Sequence, residues 1–363
     1  MRVTWIHGVE KLRGTSMAKW VESLFTAIMG LLANENIQID IDELNGISVP
    51  FLKGICNRYV LYSAHALGLR ADLFHIQDHA NAHLVPLLPK ASPKIVTVHD
   101  IFPLTRPLYD FRTYPFRALN VPGIIKADRI ISVSEYMKAQ ISKKLGYPSE
   151  RIRVAYCGVD HSLYRPTACD KKLLEKYGMI TGARYLLYVG SEIPRKNFPA
   201  VLRLLKRLSA KHKDLFLMKV GHPGTKNSRE ASMRELERLG LRDRVIFCGY
   251  VPEAELPAIY SGAAALVAPS FYEGGSGMHV IEAMACGCPV VASGIPQARE
   301  LCGGAALHCD PHDEEELLEK TAILIENEAF RSAMIEKGLK RAAEFSWEKS
   351  ALLHVELYRD LVG

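Results

Sequence analysis

Two glutamates, Glu273 and Glu282, bracket the Gly-rich turn Gly274-Gly275-Ser276-Gly277. A short apolar run over residues 263–269 leads into the turn and reads as a buried strand. A helical pattern over residues 278–286 follows, and residues 289–292 read as the next strand. Such a turn, opening a helix after a parallel strand, presents backbone N–H groups and the positive end of the helix dipole, a setting that binds phosphate. The flanking carboxylates would accept short hydrogen bonds from sugar or ribose hydroxyls. The plainer alternative is an α/β loop that binds nothing. A second candidate lies between Gly190 and Asn197 (GSEIPRKN), just after another strand-like run. There Arg195 can grip a phosphate through two parallel bonds and Lys196 adds a point charge. Cations already in position stabilise charge growing on a leaving diphosphate more than they stabilise the ground state. The competing reading is a solvated basic turn. The third candidate is His99-Asp100, at the end of the run 95–98, since polar residues at the carboxyl end of a parallel strand face the ligand crevice.

These residues need a scaffold of stacked β-α units. Strand-like runs cover residues 2–7, 37–41, 73–76, 95–98, 129–133 and 152–155, with amphipathic helices predicted over 15–34 and 135–145. The pattern breaks near residue 160, and fresh strands follow at 185–190, 215–220, 244–248, 263–269, 289–292 and 306–308. This predicts an α/β protein of two Rossmann-like parallel-sheet domains facing across a cleft: residues 1–163, 164–345, and a terminal helix, 346–363, opening on Ser346. The acidic run 313–316 suits the start of a helix, where negative charge meets the positive dipole end.

The 363 residues suffice for two such cores, and 48% hydrophobic with 24% charged residues is a globular balance. No apolar run approaches the roughly 18 residues of a membrane span. The eight cysteines lack metal-site spacing and sit mostly in apolar surroundings, which points to a reduced compartment. No Asp-x-Asp motif of the metal-binding type is read. The net charge of +6 is one-sided: residues 1–165 hold 20 Lys/Arg against 14 Asp/Glu, while residues 166–363 hold 26 of each. That excess would draw the first half to anionic lipid headgroups or to a phosphate-bearing acceptor; the other reading is a scattered solvated surface.

The stretch 269–292 resembles the Glu-x7-Glu signature of the retaining glycosyltransferases of family 4, which have the GT-B fold. Pro269, Ser270, Glu273, Gly274, Gly277, Glu282, Ala283, Met284, Ala285, Gly287, Pro289, Val290, Val291 and Ala292 match it. The chain departs in spacing, with eight residues between the glutamates; the extra one falls in Gly275-Ser276, where the family has one aromatic. Residues 189–197 resemble a segment frequent in mannosyltransferases of the family, although Ser191 stands where other branches carry a phosphate-binding arginine. Val98-His99-Asp100 resembles the family's strand-end segment, Gly249-Tyr250-Val251 its nucleobase loop, Cys157-Gly158-Val159-Asp160 its hinge, and His7-Gly8 with Gly14-Thr15-Ser16 a glycine-poor version of its acceptor-side loop.

The resemblance implies transfer of a hexose from a nucleotide sugar, first of all mannose from GDP-mannose, to an acceptor hydroxyl with retention. It puts His99 beside the reacting carbon, Glu273 on a donor-sugar hydroxyl, Glu282 on the ribose, and Arg195 with Lys196 on the diphosphate. Gly274, Gly275, Ser276, Gly277 and Met278 would line the donor, and Tyr250 and Val251 the base. No cofactor, metal or nucleic-acid partner is expected. The acceptor would be a glycan or lipid-linked sugar of a surface polysaccharide, met in the cytoplasm or at the inner face of the membrane. Two alternatives share the architecture: a sugar-nucleotide epimerase, and a non-catalytic binding subunit with an altered glutamate loop.

Overall fold

The computed structural model describes residues 1–7, 16–33, 37–43, 56–102, 117–274 and 277–363. The chain divides into two compact units, the first taking in Met1–Gly158 with Trp347–Gly363, the second Val159–Glu273 with Gly277–Ser346.

In the first unit the order is β1 (Arg2–His7), α1 (Ser16–Leu32), β2 (Gln38–Glu43), β3 (Leu73–Ile76), β4 (Lys94–Val98), β5 (Arg129–Ser132), α2 (Glu135–Leu145) and β6 (Ile152–Val154). The strands form one sheet in the order β2-β1-β3-β4-β5-β6, every neighbouring pair parallel. Parallel strands covered on both faces require apolar residues at successive positions rather than alternate ones. Accordingly β3 and β4 are buried at every residue. Ser134 caps α2 by accepting from the Met137 N–H at 3.1 Å.

The second unit contains β7 (Arg184–Val189), α3 (Phe198–Lys211), β8 (Leu215–Val220), α4 (Lys226–Leu239), β9 (Val245–Gly249), β10 (Ala265–Ala268), α5 (Met278–Ala285), β11 (Val290–Ser293), β12 (Leu307–Cys309) and α6 (Glu314–Glu326). Its sheet is also wholly parallel, in the order β12-β11-β10-β7-β8-β9. The strand order reverses between β7 and β10, so this is the topological switch point, where open α/β sheets bind ligands at the strands' carboxyl ends. Both predicted loops, 190–197 and 269–277, leave from this pair. Asp313 caps α6, accepting from the N–H groups of Glu315 and Glu316. Strand β10 starts two residues later than the sequence suggests because the Ala263 N–H still closes the preceding turn onto Tyr260.

The last helix, α7 (Trp347–Val362), packs on α1 within the first unit. Its Tyr358 hydroxyl accepts from Trp5 Nε1 at 3.0 Å and donates to His75 Nδ1 at 2.7 Å. His75 Nε2–H then donates to Thr97 Oγ1 at 2.8 Å, which fixes the tautomer of a fully buried neutral ring.

Candidate functional site

Arg195 and Lys196 lie on a short 3-10 turn, Pro194–Lys196, that follows β7. Asn197 closes it in the left-handed region, φ 53°, a conformation that asparagine tolerates better than most side chains. Its buried amide donates to the carbonyls of Pro269 at 3.2 Å and Pro311 at 2.9 Å, tying the turn to the loops after β10 and β12. The Phe271 N–H adds a bond to the Arg195 carbonyl at 2.8 Å.

This stitching brings three predicted residues together. Glu273 receives Lys196 Nζ at 2.5 Å on Oε1 and Arg195 Nη1 at 3.0 Å on Oε2. The Ser270 hydroxyl donates to the same carboxylate at 2.6 Å, and Gln297 Nε2 to the Glu273 carbonyl at 2.9 Å. Burial alone would push the Glu273 carboxyl up, but the two cations outweigh it and hold it well below the usual range. The cluster thus pairs one fixed anion with two cations. These ion pairs hold Arg195 and Lys196 against Glu273, a contact that sequence reasoning did not foresee.

Gly274 follows Glu273 without regular structure, and Gly275 and Ser276 lie outside the described residues. Gly277 then enters α5 with φ 45°, a conformation that favours glycine, and a Cβ there would press on Leu301 Cδ2 at 2.2 Å. Among the described residues no side chain caps α5, and its first N–H groups have the anion-binding character of a helix N-terminus. Met278 and His279 form that first turn. Desolvation, reinforced by Lys196, pushes the His279 imidazole down to about 4, so the ring is neutral at pH 7. Sequence reasoning passed over His279, whose place beside Lys196 comes only from the sheet order.

Glu282, one turn further along α5, is buried and accepts from the Tyr260 hydroxyl at 2.9 Å on Oε2. Burial and the nearby Glu282 charge push the Tyr260 phenol well up, which keeps it a donor. Tyr250 and Val251 follow β9, two strands from β7, with Tyr250 exposed and Val251 buried.

His99 belongs to the first unit, immediately after β4. Its Nε2–H donates to the Gln77 carbonyl at 3.0 Å, which makes Nδ1 the acceptor nitrogen. The Trp20 ring meets it edge-on with centroids 4.8 Å apart. Desolvation drives its pKa down to about 4 despite the opposing pull of Asp78. His7 ends β1 and Ser16 opens α1, while the other acceptor-side residues, Gly8, Gly14 and Thr15, lie outside the described residues.

The chain does contain an Asp-x-Asp, Asp40-Ile41-Asp42, in β2. There Asp40 holds Arg2 at 2.5 Å and Asp42 holds His65 at 2.8 Å. The two carboxylates are engaged in separate strand-edge pairs. Among the described residues no three His, Cys, Asp or Glu side chains gather as a metal site, no helix is long and apolar enough to cross a membrane, and all eight cysteines are free.

Known proteins resemble this chain in sequence and fold. Residues 170–341 match the family model described as glycosyl transferases group 1, and residues 32–163 match that of glycosyltransferase family 4. The O-antigen chain mannosyltransferase B of Escherichia coli is 31% identical over 301 residues, covering 81% of this chain and 76% of that protein. The O-antigen chain mannosyltransferase RfbU of Salmonella typhimurium is 33% identical over 233 residues, covering 64% of this chain and 60% of that one. Among solved structures, Anabaena Alr3699/HepE in complex with UDP and glucose superposes with a TM-score of 0.79 at 18% identity, covering 99% of this chain and 100% of that one. That last likeness is one of fold.

Proposed function

Because the chain belongs to the group 1, family 4 glycosyl transferases, we propose that it moves mannose from GDP-mannose to a hydroxyl of a growing surface glycan, with retention at the anomeric carbon. The observation that carries this reading is the Arg195–Lys196–Glu273 cluster at the β7/β10 switch point, beside the start of α5. A diphosphate there would meet two aimed cations and a helix N-terminus. As the glycosidic bond breaks, charge builds on the leaving diphosphate, and preorganised cations lower that barrier without a metal ion. The leaving phosphate then serves as acceptor for the proton of the incoming hydroxyl. Glu273 takes a donor-sugar hydroxyl and Glu282, steadied by Tyr260, the ribose. The backbone at Tyr250 and Val251 meets the base. His99 works beside the reacting carbon as a neutral ring, so it adds no positive charge where an oxocarbenium-like centre develops.

The names of the two relatives support mannose and a surface glycan as donor sugar and product. The basic excess of residues 1–165 supports a lipid-linked acceptor at the inner face of an anionic membrane. Binding to liposomes should then require anionic headgroups and weaken with added salt, as screening shortens to about 8 Å near physiological ionic strength. A thermal-shift panel of GDP-, UDP-, ADP- and dTDP-sugars tests the donor, since ligand at about 100 times its dissociation constant stabilises by roughly 2.7 kcal/mol. Stabilisation by another base and not by GDP-mannose would overturn the donor assignment. Conversion of GDP-mannose without acceptor would favour an epimerase, and binding without turnover on any acceptor a non-catalytic subunit.

A further inference from the structure

Strand β8 is buried at every residue, and Lys219 sits inside it with its side chain fully enclosed. Its ammonium spends its three N–H donors on the Gly221 carbonyl at 2.5 Å, the His222 carbonyl at 3.1 Å and Glu192 Oε1 at 3.1 Å. The Glu192 carboxylate is equally enclosed and takes Arg229 Nη2, from α4, at 2.7 Å on the same oxygen. Its Oε2 has no hydrogen-bond partner among the described residues. The Arg229 guanidinium in turn lies 4.1 Å over the Phe247 ring of β9.

Backbone bonds extend the same fastening. The Glu192 N–H donates to the Pro223 carbonyl at 2.9 Å, and the Gly221 N–H to the Gly249 carbonyl at 2.7 Å. Gly224 has φ +89°, and a Cβ there would fall 2.7 Å from Ile193 Cγ2, so the loops after β7 and β8 lie in direct contact. The loops leaving the carboxyl ends of β7, β8 and β9 therefore hang on one enclosed ion pair. Arg195 and Lys196 come three and four residues after Glu192, and Tyr250 comes one after Gly249.

Stability gives no reason for this pair, because well-packed apolar residues of similar volume commonly match or exceed a buried ion pair. What leucines could not do is hold the Gly221 and His222 carbonyls to the Glu192 loop. We propose that Glu192 and Lys219 are positioning residues for the nucleotide part of the donor, setting the heights of the three loops that receive it. This inference rests on the nucleotide-sugar reading above.

The test measures GDP affinity by calorimetry, donor KM, kcat and the thermal midpoint for the full chain, for Glu192→Gln, and for the double variant Glu192→Leu/Lys219→Leu. Glu192→Gln should raise the GDP dissociation constant and the donor KM together by about tenfold or more. Its kcat at saturating donor should fall by less than the roughly 10- to 150-fold expected of Arg195→Ala or Lys196→Ala, because both cations remain and only the loop that aims them shifts. The double variant should keep the thermal midpoint yet lose GDP affinity to the same degree, which a merely structural pair would not do. Should the double variant fail to fold, Arg229→Met, at a partly exposed side chain, replaces it with a smaller loss of affinity expected in the same direction. Wild-type GDP affinity in folded variants would overturn this inference alone. Absence of nucleotide binding by the wild type would overturn the donor reading and this inference together.

Discussion

Replacing Glu273 with glutamine should tighten the binding of the nucleoside diphosphate product while slowing turnover. The carboxyl is held well below the usual range, so at any assay pH the substitution removes a full negative charge. That charge touches Lys196 at 2.5 Å and Arg195 at 3.0 Å, and it partly cancels the cations meant for the phosphates. A phosphate on the far side of those cations would stand about 6 Å from the carboxylate, where an effective dielectric of about 20 gives roughly 3 kcal/mol of repulsion. The Arg195 side chain is 29% exposed and Glu273 17%, so solvent and salt reduce this to about 1–2 kcal/mol. GDP should therefore bind about 5- to 30-fold more tightly to Glu273→Gln. Turnover should move the other way. Loss of a charged acceptor for a sugar hydroxyl costs about 1.5–3 kcal/mol, or roughly 10- to 150-fold in rate. Calorimetry with GDP and steady-state kinetics with GDP-mannose read the two effects separately. Unchanged or weaker GDP binding in the folded variant would refute the idea that this carboxylate offsets the phosphate site.

Other outcomes follow from the same geometry. Arg195→Ala and Lys196→Ala should each lower turnover by about 10- to 150-fold in a folded protein, and full activity in both would remove the pair from the site. Tyr358→Phe leaves Trp5 Nε1 without its acceptor and should lower stability by about 1–3 kcal/mol in denaturant unfolding; an unchanged midpoint would count against that anchor. Burial pushes His99 and His354 down to about 4 and His75 well below its ordinary value. The unfolded chain takes up those protons below pH about 6.5 while the folded one does not, so this stability is complete above that pH and falls as pH drops toward 4. The loss should reach roughly 2 kcal/mol per histidine by pH 5, and a thermal midpoint level from pH 7 to 5 would contradict it.

Much of the scaffold can be read from local pattern, because a strand in a doubly covered parallel sheet writes itself as an unbroken apolar run. The runs at 2–7, 73–76 and 215–220 coincide with β1, β3 and β8, and the others shift by one or two residues at their ends. The caps at Ser134 and Asp313 are equally local. What escapes is whatever depends on sheet order. Arg195 and Glu273 are each conspicuous, but their pairing across 78 positions follows from β10 lying beside β7. His279, Gln297 and Tyr260 carry no signal of their own and gain roles only from what the fold sets next to them. Lys219 is hidden more deeply, as a cation within a strand that otherwise reads as core. Asp40-Ile41-Asp42 is the converse, a motif in letters whose carboxylates are taken by Arg2 and His65.

The helix Trp347–Val362 closes the first unit although the whole second unit separates it in the chain from Gly158. On the ribosome, β1 and α1 are therefore made long before the helix that packs on α1, and the bond between Trp5 and Tyr358 spans 353 positions. At about 5–20 residues per second, the stretch from Gly158 to Trp347 takes roughly 10–40 s to synthesise. During that interval the second unit can fold around its own sheet while the first keeps an apolar flank waiting for its cover. Final consolidation of the earlier-made unit thus waits for the later-made helix, and chaperone demand should concentrate on the half that is translated first.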